Sequence, residues 1–180
     1  MSQALDILQD IASSTLRNAA ALPLRESVVT EWQGLGFQIG GVRCVSATGE
    51  VTEMFLVPKL TRLPGVKSWV MGMANVRGRL IPIIDLHKYL GIPQAGSRAL
   101  RRVLVVESGD LVAGLVVEQS LGMQHFLLES YMKPAELELP EGVPKLNAHI
   151  TGAYRHGGRI HYIANLKEFI NDDTFMDVSN

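Results

Sequence analysis

The chain has 180 residues, 47% of them apolar and 19% charged, which is enough to fill a core and excludes a disordered or fibrous chain. Seventeen basic residues against 18 acidic ones leave a net charge of −1, so no broad field exists to hold nucleic acid or an anionic membrane. The single cysteine, Cys44, can form neither an internal disulfide nor a cysteine-based zinc site, which fits a reducing compartment.

No apolar stretch reaches the roughly 18 residues that span a bilayer. The first residues carry Asp6 and Asp10 and no base before Arg17, the reverse of a signal peptide, and the expected location is the cytoplasm. Over residues 3 to 21, Leu5, Leu8, Ala12, Leu16 and Ala19 recur at three- and four-residue spacing, with Ser2 as N-cap and Pro23 beyond the end. That spacing predicts an amphipathic helix, which either packs on its own domain or docks a partner. No repeat of 20 to 50 residues recurs.

After Trp32 the periodicity becomes strand-like. Gly40-Gly41 supplies the two positive-φ positions of a tight hairpin, which sets Ile39 opposite Val42 and Phe37 opposite Cys44 on an apolar face, with Gln38 and Arg43 on the other. Cys44 is then a core thiol. Further strands are expected near 51–57, 70–76, 79–84, 103–107, 111–118, 122–128, 149–155 and 159–164, about ten in all. The runs Val103 to Val106 and Leu111 to Val117 are apolar on both faces and so covered on both. The gaps between strands are too short for helical crossovers, so small antiparallel barrels or a sandwich are expected. Asp85 to Leu90 reads as one helical turn stopped by Gly91 and Pro93. The stretch Gln94 to Arg98 is the expected seam between two halves, and Glu129 to Lys145, with three prolines and four glutamates, reads as a surface loop with a helical turn.

Little in the chain resembles catalytic machinery. Of five histidines, His156 and His161 share a face if Gly157-Gly158 closes a hairpin, while His149 points away; two ligands are too few for zinc. Gly34-Leu35-Gly36-Phe37-Gln38-Ile39-Gly40 places its last glycine one residue late for a dinucleotide fingerprint and opens a strand, not a helix. No phosphate loop, nucleophile elbow or zinc-binding helix motif is present. Asp172-Asp173 reads as a solvated helix end. No cofactor and no metal are expected, and an enzyme is disfavoured.

One segment is unusual: Gly72-Met73-Ala74-Asn75-Val76-Arg77-Gly78-Arg79-Leu80-Ile81-Pro82-Ile83-Ile84-Asp85-Leu86, then Leu90-Gly91. Gly78 is expected at positive φ, which costs a residue with a β-carbon roughly 1–2 kcal/mol. Pro82 cannot donate a ladder bond, so its strand is expected at an edge or bulged. Asp85 can cap the turn starting at Leu86. Arg77 is either an inward arginine paired with carboxylates or carbonyls and holding two halves together, or an outward anchor for a partner; the residues leave both open.

The pattern Gly-x-x-Asn-x-Arg-Gly-x-x-x-Pro-x-x-Asp-Leu followed by Leu-Gly resembles the core motif of the CheW-like domain, the adaptor of bacterial chemosensory arrays. The resemblance extends to Val51-Thr52-Glu53-Met54 and Leu63-Pro64, and to Arg102 to Glu107 and Ala113 to Glu118, covering roughly residues 35 to 170. Ala74 to Leu80 and Gly122-Met123-Gln124-His125-Phe126 look most like the adaptors of systems governing type IV pili and twitching motility. The resemblance implies a mainly β fold of two five-stranded SH3-like barrels packed together, with an N-terminal helix and a short C-terminal helix. It divides the chain into an extension at 1–32 and a CheW-like domain at 33–175, with halves roughly 33–95 and 96–175.

It also implies a non-catalytic adaptor, without cofactor or metal, coupling the cytoplasmic tip of a methyl-accepting chemoreceptor to the regulatory domain of a CheA-type histidine kinase. Such an adaptor is cytoplasmic and sits in arrays at the inner membrane, with no nucleic acid and no membrane insertion. By position, Glu53, Asn75 and Arg77 carry over as candidate partner contacts, and Gly78, Pro82, Asp85, Leu86 and Gly91 as structural. Glu118 stands where aspartate is common, and the stretch before Trp32 is longer than a minimal adaptor needs. Rival readings are an adaptor of a flagellar chemotaxis array, a kinase regulatory part, which this length contradicts, and a small-ligand enzyme on a β-barrel.

Overall fold

The computed structural model describes residues 31–94 and 96–179; the helix expected over residues 3 to 21 lies outside them. Eleven strands form two sheets. In chain order they are β1 (Glu31–Ile39), β2 (Val42–Ala47), β3 (Val51–Leu56), β4 (Val70–Val76), β5 (Arg79–Asp85), β6 (Arg102–Ser108), β7 (Leu111–Val117), β8 (Gln119–Leu127), β9 (Tyr131–Met132), β10 (Ile150–His156) and β11 (Arg159–Ala164). Short helices follow β5 as α1 (Leu86–Leu90), precede β10 as α2 (Pro144–Asn147), and follow β11 as α3 (Leu166–Asn171) and α4 (Asp173–Met176).

The β1–β2 hairpin has the expected register, Ile39 opposite Val42 and Phe37 opposite Cys44, because both Gly40 and Gly41 take positive φ. Strand β8 starts earlier than its periodicity indicates. Gly36 pairs with Gly122 but Phe37 with Ser120, so Leu121 is a bulge residue, and Gly122 at φ 72 hides the continuity of the strand. The two-residue β9 lies inside the connection read as a loop, which also buries Val143.

The five-stranded sheet runs β3-β6-β7-β5-β4 and the six-stranded one β8-β1-β2-β11-β10-β9. The chain is therefore nested: the contiguous strands of 51–117 form one sheet, while 31–47 returns to pair with strands after Glu118. Gln94 to Arg98 lies within the contiguous stretch, between α1 and β6. Two short parallel ladders, β5 with β7 and β2 with β11, interrupt the otherwise antiparallel order and close this nesting.

The β4–β5 hairpin with α1 recurs as the β10–β11 hairpin with α3 at an offset of 80 residues. Gly72 and Gly152 each follow a register shift in the first strand of a hairpin. Gly78 and Gly158 sit in the two turns, and Asp85 and Asn165 cap α1 and α3. This spacing exceeds the 20 to 50 residues at which repeats announce themselves.

A cluster between the sheets takes Phe37, Ile39 and Cys44 from one and Ile84, Leu104 and Leu115 from the other. Full burial of such side chains stabilises by roughly 1.5–3 kcal/mol each. The helices complete it: Tyr89 meets Trp69, Phe169 and Phe175 edge-on at centroid distances of 5.2, 5.4 and 5.3 Å. Each sheet also packs a cluster on its other face, Ile81, Ile83, Val103 and Val116 on one and Val45, Phe126 and Tyr154 on the other. Strands β6 and β7 are thus covered on both faces, as their apolar runs require.

Asp85 caps α1 by accepting from the His87 and Lys88 N–H groups at 3.1 and 3.3 Å, and Gly91 at φ 72 ends the helix. Asp172, read as a solvated helix end, stands between α3 and α4 and accepts from the Thr174 N–H at 2.8 Å; bonds from Thr174 hold its carboxyl below the usual carboxylate range. Pro82 differs from expectation, because β5 is internal. Met73 directs both its backbone groups to Thr61, so the pair with Pro82 needs no proline donor, and the ladder with β7 begins only at Ile83. The strand is locally an edge at the proline alone.

Candidate functional site

The β4–β5 hairpin closes at Val76 opposite Arg79, leaving Arg77-Gly78 as a two-residue turn. Both take positive φ, 51 and 82, the geometry whose twist matches that of the flanking strands. Gly78 adopts it freely, whereas Arg77 is the only described non-glycine residue at positive φ. Asn75 holds the turn, its Oδ1 accepting from the Gly78 N–H at 2.9 Å.

The Arg77 side chain is 79% exposed and its Nε lies 3.0 Å from Glu53 Oε2 on β3, the edge strand at the other end of the sheet's strand order. Arg77 thus points outward and is paired with a half-buried carboxylate. Magnitudes then matter. A non-glycine residue at positive φ costs roughly 1–3 kcal/mol, while an exposed ion pair returns about 0–1 kcal/mol. The ion pair alone does not offset the cost of holding Arg77 in this conformation.

A second pair, Arg79 Nη1 to Glu107 Oε1 at 3.3 Å, lies beside the first. Between them opens a depression of about 230 Å³ floored by Val76, Ile81, Val105 and Val112. Glu53 also borders a second depression, of about 240 Å³, walled by Leu35, Val51, Met54 and Met123. Met54 and Leu56 on β3 and Leu80 on β5 are large exposed apolar groups. An apolar floor rimmed by paired charges is what a protein-docking surface requires.

The structure thus brings Glu53, Asn75 and Arg77 together at one hairpin tip. Gly78 completes the turn, while Asp85, Leu86 and Gly91 sit at the far end of the hairpin around α1, with Asp85 and Leu86 buried. Beneath α1, Gln94 Nε2 donates to Asp85 Oδ2 at 2.7 Å and Arg101 Nη2 to Gln94 Oε1 at 2.8 Å. Glu118 accepts from the Gly41 N–H at 3.3 Å and from Gln38 at 3.4 Å, joining the corner between sheets to the first hairpin. None of these bonds is legible from local periodicity. The positive φ of Arg77 does have a sequence signal, the alignment of Arg77-Gly78 with Gly157-Gly158.

The histidines do not converge on a metal site. His156 and His161 are neighbours with centroids 6.3 Å apart, His149 faces Asp172 at 3.6 Å, and no group of three or more metal-ligating side chains occurs among the described residues. Burial holds His87 and His161 below the ordinary imidazole range. No helix among the described residues is long and apolar enough to cross a membrane.

A family model described as the CheW-like domain matches residues 33–174, and the chain belongs to that family. It is 45% identical to protein PilI of Pseudomonas aeruginosa over 148 residues, covering 82% of this chain and 81% of the relative. It is 29% identical to chemotaxis protein CheW of Bacillus subtilis, covering 61% of this chain and 67% of that one. The fold matches the crystal structure of scaffolding protein TtCheW from Thermoanaerobacter tengcongensis with a TM-score of 0.67 at 21% identity, over 81% of this chain and 96% of the other.

Proposed function

We propose that this chain is a non-catalytic adaptor coupling the cytoplasmic tip of a methyl-accepting chemoreceptor to the regulatory domain of a CheA-type histidine kinase, in an array at the inner membrane. The array it serves is the one controlling type IV pili and twitching motility, a reading supported by the likeness to PilI over most of both chains. The observation that carries the docking role is Arg77, held exposed at positive φ at a cost that its ion pair does not offset. Glu53, Arg77 and the supporting Asn75 are the contacts assigned to a partner. A rigid two-sheet body with apolar depressions can fix receptor and kinase at one geometry, so that a receptor change shifts the kinase between populations through differential contacts.

Titration of the purified protein against the kinase regulatory domain and a receptor-tip fragment tests this. Binding of both establishes the bridge, with Arg77→Glu weakening at least one. A folded protein that binds neither overturns the reading. The flagellar alternative is decided by which system's receptor and kinase are bound.

A further inference from the structure

The internal repeat allows the two hairpin ends to be compared position by position. In the five-stranded sheet, Ile83 lies beside Gly114, which faces Val105, which faces Glu53. In the six-stranded sheet, Ile163 lies beside Val45, which faces Gly36, which faces Gly122. Gly122 therefore stands where Glu53 does, Gln38 where Glu107 does, and Arg159 where Arg79 does.

Both carboxylates that neutralise the first hairpin are thus absent from the second. Its floor changes as well, because Val76, Ile81 and Val112 correspond to His156, His161 and Arg43. Arg43, Arg155 and Arg159 form no ion pair with a carboxylate among the described residues. Arg43 and Arg159 lie close enough to His161 to oppose its protonation. His156 and Arg159 face one another at the turn, with both arginines of the hairpin exposed.

We propose that this end of the six-stranded sheet, with Arg43, Arg155, His156 and Arg159, is a second docking surface, and that it takes an acidic segment of a protein partner. The inference deepens the adaptor reading and rests on it. The partner's carboxylates occupy the role that Glu53 and Glu107 fill at the other hairpin. Three arginines on a chain of net charge −1 make a local patch, not the extended field that a nucleic acid backbone or a lipid surface requires. One hairpin with its charges internally paired and one without gives the two sheets distinct partners from a single repeated framework.

The test compares wild type with the double variant Arg155→Gln/Arg159→Gln, whose altered side chains are exposed, and with Arg43→Val, which installs the residue found at the equivalent position. Each is titrated against the receptor-tip fragment and the kinase regulatory domain at low and high salt. The double variant is expected to bind one of the two about tenfold more weakly at low salt, with a shallower salt dependence and an unchanged melting temperature. Unaltered binding of both partners overturns the proposal. So does wild-type binding to phosphatidylglycerol vesicles that the variant loses while its protein affinities stay unchanged. If wild type binds neither protein, the adaptor reading fails, and a fluorescein-labelled oligoglutamate peptide decides the patch alone: binding that the double variant loses supports it, and no binding by wild type overturns it.

Discussion

Arg77 and Gly157 occupy the same place in two hairpins of one chain, at φ 51 and 56. The two sheets thus hold the same turn with a glycine in one and an arginine in the other. Arg77→Gly restores the repeat and separates backbone from side chain. It is expected to leave the melting temperature unchanged or raise it by up to about 4 °C, as relief of about 1 kcal/mol in a chain this long would. Partner binding should weaken as strongly as in Arg77→Ala. A parallel fall in stability and binding would return Arg77 to a structural role. Thermal unfolding and the titration read the two effects separately.

The caps of α1 and α3 are equivalent by position but not by surroundings. Asn165 is half-buried and accepts one bond, from the Glu168 N–H at 3.1 Å. Asp85 is buried, caps two N–H groups and anchors the Gln94–Arg101 chain. Asn165→Ala should cost about 1 kcal/mol. Asp85→Ala should cost more, about 2–4 kcal/mol, since it leaves two helix N–H groups and the amide that holds Arg101 without their acceptor. Equal losses in denaturant unfolding would show that the buried chain contributes nothing beyond the cap.

Features set by neighbours in sequence were legible without the structure. Gly40-Gly41 dictates the register that buries Phe37 and Cys44, and Asp85 ahead of Leu86 marks a helix start. The double-sided runs of β6 and β7 announce burial on both faces. Pairings between distant segments leave no such trace. Nothing around Ile83 or Gly114 indicates that their strands run parallel, and this ladder, with that of Cys44 and Tyr162, decides the nesting. Gly122 misled because a bulge glycine and a strand boundary look alike in sequence. At the candidate site, Arg77 and Glu53 could be singled out but not placed in contact, since that depends on the curl that brings β3, the far edge strand of the sheet, to the hairpin tip.

His87 and His161 make the fold sensitive to acid. In the unfolded chain each imidazole takes up its proton near pH 6.5, whereas burial keeps both neutral to lower pH in the folded chain. Between those values the unfolded state binds more protons, so stability is fully present above about pH 6.5 and is lost as the pH falls through the folded values. Around His87 the field comes from Asp85 and Glu118, which favour its protonation, and from Arg101, which opposes it. Around His161, burial, Arg43, His156 and the charge of Arg159 oppose it, while a backbone hydrogen bond with Arg159 favours it. Melting temperature should fall between pH 7 and 5, and His161→Phe, beside Phe126 at 5.2 Å, should flatten that fall. An unchanged slope in the variant would remove His161 from the account.

Cys44 reports on the junction between the sheets. Its thiol is fully buried in the shared cluster, and burial alone pushes its pKa up to about 12. Nucleophilic attack needs the thiolate, so the folded protein at neutral pH should be inert to an aromatic disulfide reagent and the denatured protein should react at once. Because β1, β2 and the parallel strand β11 all surround this position, a local fraying of the hairpin ends does not expose it; the sheets must separate. Labelling in native buffer should therefore proceed with the free energy of global unfolding and slow in step with any stabilising ligand. Labelling that is fast in protein with an intact near-ultraviolet circular dichroism signal would mean that the two sheets part without unfolding, and the rigid geometry on which coupling depends would have to be abandoned.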